Sequence, residues 1–276
     1  MSIHRSLAET PGDFGRCAIT IGNFDGVHIG HQQILQRVIA VAREHGWKAA
    51  VLTFDPHPTK LVAPARAPRL LTTPEQRARL MLDQGIDEVL ILPFTPEIAA
   101  LTPEQFGLEI LSEKLGARVV LVGDNFRFGN RAAGDARTLQ ELGRKYGFSE
   151  EIMRAIVWRG RIISSSEIRQ SIEAGQVSIA CRMLGRPYAL EGRVVPGAGV
   201  GSKQTVPTLN LETQAEVLPK TGVYITRTHD RAGSRNWPSI TTVSPGTMPF
   251  SITIFLPKAR PAVTMRMATL LSGPTT

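Results

Sequence analysis

Cys17-Ala-Ile-Thr-Ile-Gly22-Asn-Phe24-Asp25-Gly26-Val-His28-Ile-Gly30-His31 is the stretch on which the reading of this chain turns. CAITIGNF (17–24) is apolar on both faces and reads as a buried strand. HIGHQQILQRVIAVAREHG (28–46) repeats its apolar residues at helical spacing and stops at Gly46, a residue that caps helices in the left-handed conformation. A strand therefore runs into a helix through a glycine-containing turn. Such a turn lets the backbone approach a ligand closely, and the helix start presents unpaired N–H groups to an anion.

The same alternation extends outward. KAAVLTF (48–54), EVLILPF (88–94), RVVLVG (118–123) and a segment near residues 151–158 read as further strands, and residues 73–85, 102–116 and 135–147 as helices. Apolar strands separated by helices predict a parallel, Rossmann-like α/β sheet covered on both faces, with ligands at the carboxyl ends of its strands. After Leu184 the helical period disappears. The sequence becomes rich in Gly, Pro, Thr and Val, which suggests short antiparallel strands in a barrel or sandwich. The break near residues 185–187 divides the chain into domains 1–185 and 186–276.

The 276 residues are 42% hydrophobic and 6% aromatic, enough apolar material for two cores. No apolar run reaches signal-peptide or membrane-span length, and the two cysteines, Cys17 and Cys181, cannot build a disulfide framework; a soluble cytoplasmic protein is expected. The net charge of +8 invites a nucleic-acid reading. Its distribution weakens that reading, because residues 231–276 hold five basic residues and no acid, leaving +3 on the first 230. That mild excess suits a protein that handles phosphorylated metabolites. Composition does not define an oligomeric state.

His28 and His31, three residues apart, share one face of the expected helix, about 5–6 Å apart. Two imidazoles aimed at one phosphate can donate hydrogen bonds to charge that develops during phosphoryl or nucleotidyl transfer. The alternatives are two surface histidines on an amphipathic helix, or a zinc site for which His-x-x-His supplies only two ligands.

Three more blocks follow: Phe54-Asp55-Pro-His57-Pro, Gly123-Asp-Asn125-Phe126-Arg-Phe128-Gly129, and Arg161 with Ile163-Ser164-Ser165-Ser166-Glu167-Ile168-Arg169. Phe126 and Phe128 can wall a flat ring whose edge meets Asn125, or be core phenylalanines. Ser164-x-x-Glu167 is a capping box for a helix over 165–174, and the same helix start can bind phosphate with Arg161 and Arg169 as clamps. Asp-Pro-His-Pro alone is a rigid loop. Together these blocks resemble the His-x-Gly-His nucleotidylyltransferases in the form found in bifunctional bacterial riboflavin kinase/FMN adenylyltransferases, over roughly residues 15–243. The resemblance implies joining of FMN to the AMP part of ATP to give FAD and pyrophosphate, with Mg²⁺. It implies His28 and His31 as catalytic, and Gly22, Phe24, Asp25, Gly26, Arg161, Ser164, Ser165 and Arg169 at ATP. Asp55, His57, Asn125, Phe126 and Phe128 would contact flavin.

Gly197-x-x-x-Gly201 and Pro207-Thr208-Leu-Asn210 resemble the riboflavin kinase module, which implies Mg–ATP binding at Gly197, Gly201, Thr208 and Asn210. Thr208 and Asn210 carry the hard oxygen ligands that Mg²⁺ prefers. Ser202-Lys-Gln-Thr205 departs from the Arg and Leu-Gly pair usual there. From about Val243 the departure is larger, because residues 244–276 offer no carboxylate to serve as general base. A frameshift or truncation of a partial barrel, with an impaired kinase, is the expectation. The alternatives are a CTP- or pantetheine-phosphate-using transferase of the same fold, a nucleic-acid-binding protein acting through its basic tail, and a destabilised product whose unpaired strand edges aggregate.

Overall fold

The computed structural model describes residues 1–12, 14–195, 208–230, 236–243, 252–255 and 263–267. They fall into two compact units, Met1–Ile163 and Ser164–Thr276.

The first unit is an α/β layer structure. Its strands are β1 (Ser2–His4), β2 (Cys17–Ile21), β3 (Lys48–Asp55), β4 (Glu88–Pro93), β5 (Ala117–Gly123) and β6 (Ser149–Met153). They form one six-stranded parallel sheet in the order β1-β4-β3-β2-β5-β6. All five residues of β2 are buried, as its continuous apolar run requires of a central strand with helices on both faces. The connecting helices are α1 (Ile29–His45), α2 (Pro58–Val62), α3 (Pro74–Asp83), α4 (Pro96–Ala100), α5 (Pro103–Gln105) and α6 (Ala136–Tyr146). One core, containing Ile19, Leu52, Leu111 and Val122, lies on one sheet face; another, containing Leu35, Val38, Val51 and Met81, lies on the other.

Local signals account for the helix ends. Gly46 closes α1 at φ 67°, its N–H bonded to Ala42 and Arg43 carbonyls. Thr73 opens α3 through a reciprocal capping box with Gln76, and Pro74 takes the first helical position, where no N–H is needed. Elsewhere the structure refines the expectations. The strand read over 17–24 ends at Ile21, releasing Gly22 to the turn. The helix read over 102–116 is the short α5 followed by a π-helical segment, Phe106–Lys114. The strand expected across 151–158 divides into β6 and a separate antiparallel hairpin of β7 (Val157–Trp158) and β8 (Arg161–Ile162).

The second unit begins with two helices, α7 (Ser165–Glu173) and α8 (Val177–Leu184), and the sequence reading placed no element at α8. Six strands follow: β9 (Tyr188–Val195), β10 (Thr208–Thr213), β11 (Gly222–Asp230), β12 (Asn236–Val243), β13 (Ile252–Phe255) and β14 (Val263–Met267). They pair in a closed ring, β10-β13-β12-β11-β14-β9, all antiparallel. The barrel read as partial, with free edges, thus closes among the described strands. The acid-free stretch supplies β13 and β14, because ITIF and VTMRM carry the β-branched and aromatic residues that suit a pleated strand.

Candidate active site

The order of strands locates the site. From β2 the chain steps to β3 and β4 on one side, then crosses to β5 and β6 on the other. The direction of winding reverses between β2 and β5, and the crevice outside the carboxyl ends of strands at such a point is where open α/β sheets bind ligands. Residues 22–31 leave β2, residues 56–58 leave β3 and residues 124–129 leave β5. Three of the blocks picked out in the sequence therefore stand at one edge of three adjacent strands.

The turn after β2 is held in an unusual shape. Phe24 and Val27 have φ of 49° and 39°, and Gly26 has 78°. Left-handed backbone at a β-branched residue persists only where surroundings impose it. Those surroundings are visible. The Asp25 carboxylate is buried at 1% exposure and accepts hydrogen bonds from Leu71 N–H at 2.9 and 3.1 Å, Thr72 N–H at 3.1 Å and the Thr72 hydroxyl at 3.1 Å. Gly26 N–H in turn donates to Thr72 Oγ1 at 3.0 Å. These bonds tie Asp25 to the chain ahead of α3. Thr72 escaped the sequence reading because its partners lie 46 and 47 residues away.

His28 is not a helical residue but the N-cap of α1, with extended backbone (φ −73°, ψ 171°). Its Nδ1 accepts from the His31 N–H at 3.3 Å, so the ring proton belongs on Nε2, which remains a donor. Folding the ring back over the first turn brings it onto His31: the centroids are 3.6 Å apart and the planes 17° from parallel. The pair is thus closer than simple helical spacing predicts. The Phe24 and His31 rings meet in a T-shaped arrangement, their centroids 5.1 Å apart. Gly30 is explained by the same geometry. A Cβ there would come within 3.1 Å of His28 Cε1 and Nδ1, so the small residue between the histidines makes room for the capping ring. At Gly22 a Cβ would meet the Phe24 ring at 3.2 Å.

Around this turn, Asp55 is exposed at the end of β3, and His57 is buried at 8% and caps α2, its Nδ1 accepting from Thr59 N–H at 3.2 Å. Asn125 is exposed in the loop after β5. Phe126 is half-buried and stacks on Phe128 at 5.4 Å, and Phe128 is buried in the core against Phe106. Arg161 is exposed on β8. In the second unit Ser164 is the N-cap of α7, its hydroxyl accepting from Glu167 N–H at 3.2 Å; Ser165 opens that helix, and Arg169 lies one turn on, 3.4 Å from the Ser166 hydroxyl. Gly197 and Gly201 lie outside the described residues. Thr208 and Asn210 belong to β10 by backbone, and their side chains lie outside what is described. Among the described residues no group of three or more His, Cys, Asp or Glu side chains is placed to hold a metal, and no helix is long and apolar enough to cross a membrane.

A doubly wound sheet with a histidine pair at its switch point, followed by a closed barrel, defines a two-part enzyme of the nucleotidylyltransferase kind, and family comparisons name both parts. A family model described as FAD synthetase matches residues 11–167, and one described as riboflavin kinase matches residues 184–257. The chain belongs to the bifunctional riboflavin kinase/FMN adenylyltransferase family. Proteins of that name from Escherichia coli strain K12 and Pseudomonas fluorescens are 36% identical over 219 residues and 34% identical over 243. The first alignment covers 79% of this chain and 69% of the relative, the second 88% and 77%. The same-named protein of Haemophilus influenzae is 31% identical, with 84% and 76% covered. A solved structure described as a macrolide-efflux protein from Streptococcus pneumoniae has a TM-score of 0.84 at 22% identity, covering 100% of this chain and 92% of that one; the likeness concerns fold alone.

Proposed function

We propose that residues 1–185 transfer AMP from ATP to FMN, giving FAD and pyrophosphate. The observation that carries this reading is the stacked His28–His31 pair at the switch point of a chain in this family. An ionised oxygen of the FMN phosphate attacks the α-phosphorus of ATP in line. A P–O bond forms there as the bond to pyrophosphate breaks, and no proton need be removed. His28 and His31 donate to charge that builds on the α-phosphate and on departing pyrophosphate. Gly22, Phe24, Asp25 and Gly26 form the nucleotide turn, with Asp25 acting through its grip on Leu71 and Thr72. Ser164 and Ser165 at the start of α7, with Arg161 and Arg169, are assigned to ATP phosphates. Asp55, His57, Asn125, Phe126 and Phe128 are assigned to the flavin, although Phe128 is also a core residue.

Mg²⁺ in this scheme arrives with ATP. It prefers phosphate oxygens and water to an all-protein cage. When bound it neutralises phosphate charge. Residues 186–276 are the riboflavin kinase module, with Gly197, Gly201, Thr208 and Asn210 assigned to Mg–ATP. Residues 231–276 hold no acid, so that stretch supplies no carboxylate base for the riboflavin hydroxyl, and we infer that phosphorylation of riboflavin is impaired. The reduced thiols of Cys17 and Cys181 suit the cytoplasm. Chromatographic detection of FAD from FMN, ATP and Mg²⁺ tests the main reading, and a chain that forms none refutes it. A parallel incubation with riboflavin and ATP tests the impairment, which robust FMN formation overturns.

A further inference from the structure

Arg77, one turn into α3, is a fully buried cation, 0% exposed. Its Nη1 donates to the carbonyl of Asn23 at 3.1 Å and its Nη2 to the carbonyl of Phe54 at 2.6 Å. The Asn23 carbonyl also accepts from the Thr53 hydroxyl at 3.2 Å. Nε is buried with no hydrogen-bond partner among the described residues. Burial lowers the pKa of this guanidinium, and the charges of Asp25, Asp55 and Glu75 act against that. An apolar side chain of similar volume fills such a space at less desolvation cost. The guanidinium is therefore explained by what its fork reaches. Asn23 belongs to the nucleotide turn after β2. Phe54 immediately precedes Asp55 and the His57 turn after β3. One rigid group spans both.

We propose that Arg77 is a positioning residue that fixes the nucleotide turn, residues 22–27, relative to the Asp55–His57 turn, and so aligns the FMN phosphate with the α-phosphorus of ATP. This rests on the adenylyl-transfer reading above. Arg77 touches neither substrate; it acts through two carbonyls. The turn needs such support because Phe24 and Val27 hold left-handed backbone. In-line transfer is sensitive to displacements of an ångström or less, so loosening one turn against the other lowers turnover more than nucleotide affinity.

The test uses the full chain with Arg77→Lys and Arg77→Met. Lysine keeps the charge but is a single point that cannot reach both carbonyls, whereas methionine keeps apolar bulk. For FAD formation from FMN and MgATP, kcat should fall roughly 10- to 100-fold in both variants, with the KM for ATP within about threefold of wild type. Amide hydrogen exchange should quicken across residues 22–27 while the Tm moves by only a few degrees. A folded variant with kcat within twofold of wild type overturns the proposal, as does a loss confined to KM or equal to the unfolded fraction. Should both variants aggregate, Thr53→Val carries the test, because it removes the other donor to Asn23 at nearly constant volume. A fall of about three- to tenfold in kcat supports the proposal, and unchanged kcat overturns it. If wild type itself forms no FAD, adenylyl transfer is refuted, and exchange at residues 22–27 alone decides whether Arg77 ties the two turns.

Discussion

Replacing Asp25 with alanine removes the acceptor for two buried amides, Leu71 N–H and Thr72 N–H, and for the Thr72 hydroxyl. The carboxylate is 1% exposed, so water has poor access to take its place. Each buried donor left without a partner costs about 1–3 kcal/mol. The hydroxyl can rotate toward another acceptor; the amides cannot. A loss of about 3–5 kcal/mol follows, and Arg77 also loses one of the carboxylates that offset its burial. For a folded unit of this size each kcal/mol moves the Tm by about 2–4 °C, so Asp25→Ala should melt roughly 6–20 °C below wild type. Asp25→Asn keeps one acceptor oxygen and should fall about half as far. Thermal unfolding followed by circular dichroism provides the measurement, with FAD formation assayed well below the transition. A Tm within about 3 °C of wild type for Asp25→Ala would falsify the claim that this carboxylate organises the turn.

Other expectations follow from the same geometry. His28→Ala should lower the kcat of FAD formation roughly 100- to 1000-fold and also cost about 0.5–2 kcal/mol as a lost cap; His28→Asn restores the cap without the imidazole, and recovery of activity with it rules out the electrostatic role. Gly30→Ala places a methyl against the His28 ring and should reduce kcat about tenfold with a Tm change under about 3 °C, an idea abandoned if steady-state kinetics are unchanged. Burial raises the Cys17 thiol pKa from 9.0 to about 12. Because the folded state holds this proton more tightly than the unfolded chain, the associated stability is complete below pH 9 and is lost as pH rises toward 12, by about 1.4 kcal/mol per pH unit. Urea unfolding of Cys17→Ala should therefore show a shallower alkaline decline than wild type, and identical slopes contradict this.

Much of the first unit was readable because its signals are local. The period of 28–46, the stop at Gly46 and the Thr73–Pro74 start each act within a turn or two of backbone, so they stand next to one another in the chain. β1 escaped notice because a three-residue edge strand shows no alternation, and α8 because its N-cap, Gln176, makes no side-chain capping bond. The tail after Val243 misled in one respect. Its lack of acids suggested a partial barrel, whereas strand formation follows the β-branched pattern that it retains.

From the residues alone one obtains a strand–turn–helix with two histidines and glycines, a parallel α/β unit, a β-rich second part and the family's motifs. Tertiary structure alone decided that the strand order reverses beside β2, that His28 caps α1 and stacks on His31, and that Asp25 and Arg77 hold the turn from α3 and the chain before it. The reason is separation along the chain. Hydrogen bonds that span 46 to 54 residues leave no periodicity in either partner, and only folding brings their donors and acceptors together.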